Sequence, residues 1–323
     1  MSSSAVPELP PTVPAGQHPI ETMRYVLPTP AIAELHAVVE RWTDNRVPGG
    51  VIVGRPRLGK TRALKYVTGW LAQDLGAVPI LQWRCREYKT PSEAVFFEDL
   101  LRASGHALVH SGKPAAKRDR LTQWLWEQAH RSGQNRLLLF ADDAQRLDPR
   151  QFNWLMDVYN DLDAMGVSLI TILVGQDQLV SQRSAFIEAQ QYQIVGRFMV
   201  QVHHFYGVRS QEDIQVCLNG YDTATEYPAG TGWSFSRYYF PARFDTGWRL
   251  QEETNKIWDG FAHIRQEHAI PHGRDIPMQY FTRTVEYLLR RGAAIQGPDP
   301  MPESLVLQAI YNSGYVDAEM LWD

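Results

Sequence analysis

The sequence predicts an α/β fold, a parallel central sheet flanked by helices, and three observations predict it. An apolar run, 51-VIV-53, enters a glycine-flanked loop and leaves it as a helical pattern. Two further runs, 137-LLLFADD-143 and 167-VSLITILVG-175, are continuously apolar, as strands covered on both faces are. Helical spacing fills the intervals between these runs, and strand–helix–strand alternation makes parallel βαβ units.

The bulk properties narrow the function. The 323 residues are 44% hydrophobic and 21% charged, an ordinary globular balance for one large or two modest domains. A net charge of -4 excludes a wholly basic nucleic-acid binder and leaves room for a local basic patch. Cys85 and Cys217 are the two cysteines, with neither metal spacing nor a disulfide framework, which suits a reducing cytosol. The first residues lack the basic and apolar regions of a signal peptide. No window of 18 apolar residues occurs, so no membrane span is predicted.

In order along the chain, residues 1–19 are rich in Ser and Pro and read as a disordered segment. A helix is predicted over 30–45, with Ile32, Leu35, Val38, Val39 and Trp42 at helical spacing. The strand Gly50–Val53 follows, then the loop, and a helix starts near Lys60. A strand within 78-VPILQWRC-85 and a helix near 92–103 come next. The stretch 110-HSGKPAAKRDR-120 reads as a basic linker into a helix at 121–131. The strand with acidic residues at its end precedes a helix at 149–165 and the strand 167–175. Beyond 205 the pattern turns helical, at 210–220, 250–266 and 278–293, around an aromatic-rich insertion at 221–248. The division is thus 1–19 disordered, 20–207 a nucleotide-binding core, 208–296 a helical lid and 297–323 a tail.

The chemistry begins at 51-VIVGRPRLGKTRALKYV-67. Gly54, Gly59, Lys60 and Thr61 fit G-x-x-x-x-G-K-[ST], in which glycines let a loop curl its backbone N–H groups toward phosphate oxygens. The following helix adds its positive end. Lys60 is placed to reach the outer phosphates and Thr61 to ligate Mg²⁺, with Arg57, Leu58 and Arg62 completing the candidate ATP-binding set. Such a site needs a carboxylate from a neighbouring strand end, and Asp142 supplies one for Mg²⁺, 82 residues after Lys60. Asp143 is the candidate general base that orients the attacking water. The strand 170–174 ends in Gly175-Gln176, where a polar residue can sense the γ-phosphate, and Arg197 precedes an aromatic in 194-IVGRFMV-200.

The order GRPRLGKT, LLLFADDAQRL, ILVGQDQL and GRF resembles the AAA+ ATPases over residues 20–215. More narrowly it is similar to the TnsC/TniB transposition regulators and, more distantly, to the IstB/DnaC type. The resemblance implies an AAA+ P-loop fold and ATP hydrolysis with Mg²⁺. It implies a homo-oligomer, ring or filament, on double-stranded DNA in the bacterial cytosol, linking a target-selection protein to a transposase. It gives Gln176 the first sensor role and Arg197 the role of a finger reaching a neighbouring subunit. Arg283 and Arg290 are weak candidates for a second sensor. Where these ATPases usually carry Glu, this chain has Asp143, one methylene shorter, so hydrolysis is expected to be slow.

Sequence-indifferent DNA contact is expected from Lys113, Lys117, Arg118 and Arg120, which lie where the family inserts channel-facing loops. Trp124 and Trp126 are two apart on a helix and cannot share a face, so at least one is expected in the core. Residues 221–248 are expected to pack internally, with partner docking as the alternative, and the tail is expected either to hook a partner or to pack on the lid. The competing readings are a helicase loader, a signalling ATPase that binds no DNA, and a small-molecule kinase.

Overall fold

The structure is a computed structural model that describes residues 9–271 and 273–322. In chain order the first elements are α1 (Pro19–Thr22), α2 (Pro30–Asp44), β1 (Gly49–Val53), α3 (Lys60–Asp74), β2 (Ile80–Arg84), α4 (Glu93–Ala103) and α5 (Pro114–Ser132). Then come β3 (Arg136–Asp142), α6 (Pro149–Ala164), β4 (Ser168–Gly175), α7 (Gln178–Glu188), α8 (Tyr192–Phe198) and β5 (Gln201–His204). The remainder is helical: α9 (Gln211–Thr223), α10 (Phe235–Tyr239), α11 (Pro241–Asp245), α12 (Thr254–Glu267), α13 (Met278–Gly292), α14 (Glu303–Ser313) and α15 (Tyr315–Glu319). Among the described residues no helix is long and apolar enough to cross a membrane.

The chain divides into two compact units. The first holds Glu34–Pro56 and Lys60–Phe205; the second holds residues 9–33, Arg57–Gly59 and 206–322. This corrects the expected division at both ends. The segment before α2 does not belong to the core, and the tail is not a separate piece.

The first unit is built on a five-stranded parallel sheet in the order β2-β3-β4-β1-β5. Alternate residues of β1, β2, β3 and β4 (Val51, Leu81, Leu139, Leu173) join one apolar cluster with Phe97, Leu121, Phe152 and Phe198 from the helices. Leu138, Phe140, Ile170 and Ile172 are equally buried, as a continuously apolar strand requires of its other side. On that side Gln82 Nε2 donates to Thr68 Oγ1 of α3 at 2.7 Å. Two glycines let the helices close on β1. A Cβ at Gly49 would stand 2.3 Å from the Arg197 carbonyl oxygen, and one at Gly50 would stand 2.3 Å from the Trp42 ring. Strand β5 was not foreseen; its sequence, QVHH, has no apolar run, and it lies at an exposed sheet edge.

The basic linker is corrected as well. Pro114 occupies the first turn of α5, where its missing N–H costs nothing, and the helix runs unbroken until Gly133 takes a left-handed φ of 70°. Residues 114–120 are therefore helical rather than a loop. Trp124 and Trp126 both pack partly against the core, and Trp126 stacks on His130 with ring centroids 5.2 Å apart.

In the second unit, α9, α12, α13 and α14 enclose one apolar cluster that includes Tyr221, Ile257, Phe261, Phe281, Leu288 and Ile310. The tail helices are part of this cluster through Val306, Ala309, Tyr315 and Val316, so the structure places them in the core and not out as a hook. The aromatic segment folds inward too. Trp233, Phe235 and Phe240 are buried. Asp222 fastens it by accepting from Leu250 N at 3.0 Å, Gln251 N at 3.1 Å and Ser236 Oγ at 2.5 Å. Of the segment read as disordered, residues 1–8 lie outside the described residues, and the rest is corrected in part. His18 is buried among Tyr227, Phe235, Tyr238 and Tyr239, stacked on Tyr238 at 4.5 Å.

Candidate nucleotide site

Strand order brings the predicted residues together. Val174 of β4 pairs with Ile52 on one side and with Asp142 on the other, so β1 and β3 end within one residue of each other. The loop Gly54–Gly59 rises from β1 and turns into α3. Gly59 has a φ of 97°, open to glycine and strained for any residue with a Cβ. Across β4, Thr61 Oγ1 donates to Asp142 Oδ2 at 2.8 Å. Residues 81 positions apart thus meet beneath the loop. Lys60 Nζ donates back to the carbonyls of Gly54, at 2.5 Å, and Arg55, at 2.7 Å. Gly54 and Leu58 are buried, and Arg62 is exposed on the first turn of α3. Arg57, with a φ of 67°, donates to the hydroxyl of Tyr280.

Asp142 and Asp143 are set apart by their surroundings. Asp142 Oδ1 accepts from Asp143 N at 3.1 Å, while Asp143 adopts a left-handed φ of 57°, which Asp tolerates better than most residues. This turns the Asp143 carboxylate to Arg84, whose Nε lies 3.3 Å from Oδ2. Arg84 sits there because its backbone pairs with Asp142 across the β2–β3 ladder. One residue on, Cys85 N donates to the Asp142 carbonyl at 2.8 Å. Burial, and then the two carboxylates, push the Cys85 thiol well up, so it remains a neutral thiol.

Gln176 is half-buried at the end of β4, and its N–H donates to Gln145 Oε1 at 3.4 Å. Gln145 fills the space that Gly175 leaves open, since a Cβ there would stand 2.2 Å from Gln145 Oε1. Arg197 is elsewhere. Its carbonyl backs onto Gly49, the first residue of β1, whereas the phosphate loop follows the last. At ~3.3 Å per residue, those two ends of β1 are about 13 Å apart. The Arg197 guanidinium lies 4.9 Å over the Tyr159 ring, and Nε donates to Asn160 Oδ1 at 3.4 Å. The sequence-predicted catalytic set is therefore split. Lys60, Thr61, Asp142, Asp143 and Gln176 line the carboxyl end of the sheet, and Arg197 stands at the other.

The predicted DNA residues are not displayed as a set. Lys113 caps α5 and is exposed. Lys117, expected to contact DNA, is instead buried with its ammonium donating to Glu98. Arg118 is ion-paired with Asp157 at 3.0 Å. Arg120 donates to the carbonyls of Leu108 and Ser111, each at 2.9 Å. Of the weak sensor candidates, Arg283 donates to Ser313 O and Arg290 to Glu286 O, each at 3.2 Å. Sequence reasoning missed Arg84, Gln145, Tyr159 and Tyr280. Gly175 was the one sequence signal among them, marking a place where something approaches the strand end closely.

Residues 48–182 match the sequence model of the AAA domain. Together with the sheet order and the loop–carboxylate geometry, this defines the chain's fold as the AAA+ P-loop fold with a helical C-terminal region. The chain is similar to the Aeropyrum pernix ORC2 protein solved in ADPNP–ADP complexes, at 16% identity over 95% of this chain and 69% of that one, with a TM-score of 0.54. Weaker likenesses extend to Drosophila ORC bound to DNA (11% identity, 96% of this chain and 69% of that one, TM-score 0.47). Domain III of the Thermotoga maritima replication initiation protein DnaA is another (14% identity, 88% and 94%, TM-score 0.45). Among curated proteins, no sequence matches the chain.

Proposed function

We propose that this chain is an ATP-hydrolysing switch that assembles with copies of itself on double-stranded DNA and links a target-selection protein to a transposase. The observation that carries the ATPase half is the Thr61–Asp142 contact beneath the phosphate loop. A hydroxyl and a carboxylate are the hard oxygen donors that suit Mg²⁺, an ion usually completed by water and substrate phosphates. Bound there, Mg²⁺ would neutralise charge on the outer phosphates. Thr61 and Asp142 would hold it. Loop amides and Lys60 would position the phosphates, and Asp143 would orient the attacking water. The ORC2 neighbour, solved with ADPNP and ADP, supports a nucleotide in this loop.

The placement of Arg197 supports assembly. At the far end of β1 it cannot serve its own loop, and stacking on Tyr159 holds it ready for another chain's nucleotide. The link to transposition rests on the resemblance of the quoted motifs. Lys113 is the exposed member of the basic set that remains a candidate phosphate contact. The test is electron microscopy of the purified chain with a non-hydrolysable ATP analogue, with and without random-sequence duplex. Rings or filaments that require both components, and that Lys60→Ala removes, support the switch. Monomers under every condition sink it, and preference for single strands would favour a helicase loader.

A further inference from the structure

The tip of the phosphate loop is held from outside its own strand and helix. Arg57–Gly59 belong with the second unit, and Arg57 is bonded there to the start of α13. Gln279 N donates to Arg57 O at 3.2 Å. The Arg57 guanidinium donates to the Tyr280 hydroxyl and lies 5.6 Å from the centroid of the same ring. Tyr280 is a fixed anchor, only 2% exposed in the apolar cluster of its unit. Met278 Cβ comes within 3.8 Å of where a Cβ on Gly59 would be, so the helix start also follows the loop's last glycine. Arg57 itself sits at a φ of 67°, which a residue with a Cβ avoids and glycine does not. Such a backbone persists where its surroundings over-determine it, and here two bonds do so.

We infer that Arg57 and Tyr280 are positioning residues for the phosphate loop. They hold its tip curled before a polyphosphate arrives, and they tie that shape to α13. The functional half of this inference rests on the nucleotide reading above; the structural half stands on the contacts alone. A loop already ordered loses less freedom on binding, so cutting the tether weakens affinity and leaves the chemical step alone. Loss of one hydrogen bond from a charged donor at a partly exposed place corresponds to a rise in KM for ATP of roughly threefold to tenfold.

The experiment uses the full chain and four variants: Tyr280→Phe, Arg57→Gln, their combination, and Arg57→Lys. Amide hydrogen exchange is read over 54–61 and 277–283 without nucleotide, and KM and kcat for Mg·ATP are read separately. The tether predicts faster exchange over 55–59 in both single variants, a raised KM and an unchanged kcat. The combination should be no worse than the worse single variant, because both cut one link. Arg57→Lys keeps a charged donor and should recover part of the affinity. Unchanged loop exchange in Tyr280→Phe, or losses that add in the combination, would overturn the tether. If Tyr280→Phe does not fold, Arg57→Gln, which removes the guanidinium from an exposed side chain and keeps the Cβ, carries the same test. Failure of the wild-type chain to bind ATP would overturn the nucleotide reading, and the exchange result would still decide the tether.

Discussion

Arg84→Ala is expected to speed ATP hydrolysis, and the structure sets how far. The pair is close, with Nε 3.3 Å from the Asp143 carboxylate, but the Arg84 side chain is 75% exposed. In a water-like dielectric, two unit charges at that distance attract by about 1.3 kcal/mol. Holding a long side chain in one geometry offsets part of this, and exposed pairs measure ~0.2–1 kcal/mol. At the upper end, Asp143 is released about fivefold more often in the variant, because 1 kcal/mol is about a factor of five. If Asp143 is the base, as proposed, and orients water only when free of Arg84, kcat rises by up to that factor with KM for ATP unchanged. Salt supplies a control. The screening length falls from about 10 Å at 0.1 M to about 3 Å at 1 M, so wild-type kcat should climb toward the variant's while the variant's stays flat. The assay is steady-state phosphate release across a salt series. A kcat in Arg84→Ala at or below the wild-type value, with ATP binding intact, would refute the idea that this ion pair restrains the base.

Three further outcomes follow from the geometry. If Arg197 acts on another chain's nucleotide, as proposed, mixing Lys60→Ala with Arg197→Ala should restore ATPase activity that neither shows alone; no recovery at any ratio would place Arg197 outside the reaction. Gly49→Ala should cost about 1–3 kcal/mol in urea unfolding, because the new methyl meets backbone at 2.3 Å and cannot be accommodated by rotating a side chain; a loss below a few tenths would show that α8 shifts freely. His18, its pKa lowered to about 4 mainly by burial, stays neutral in the folded chain while the unfolded chain protonates near 6.5. Its contribution is therefore full above that value and lost as pH falls from about 6.5 to about 4, by at most about 3 kcal/mol. Unfolding of wild type and His18→Phe at both ends of that range should show the wild type losing more stability on acidification, and parallel losses would remove His18 as the cause.

What the sequence made legible was whatever burial on two faces writes as an unbroken apolar run. Strands β1, β3 and β4 are of this kind, and Thr61 and Asp142 could be matched because Thr61 closes the glycine motif that follows β1 and Asp142 ends β3. Strand β5 could not be read, since an exposed edge strand such as Gln201–His204 needs no apolar residues. Arg84 was invisible for another reason. Its role depends on β2 lying beside β3, and strand order is not written in any local window. Lys117 was misplaced because a lysine's charge predicts solvent unless its partner is known, and Glu98 lies on another helix. The start of α5 at Pro114 was hidden by Ser111 and Gly112 just before it and by the proline itself, which read as loop although proline suits a first helical turn.

Lys60 has one more consequence. Its ammonium donates to two carbonyls of its own loop, those of Gly54 and Arg55, so an anion that takes it competes with acceptors the loop itself supplies. Any anion must win that cation by exchange, giving back bonds as good as the two it displaces. A single phosphate or sulfate offers the ammonium a charged acceptor but few contacts beyond it. A chain of phosphates that also engages the curled backbone and the first turn of α3 offers more contacts per exchange. Discrimination in favour of a triphosphate over the abundant small anions of a cell would then come from what the loop must give up, as much as from what it can hold.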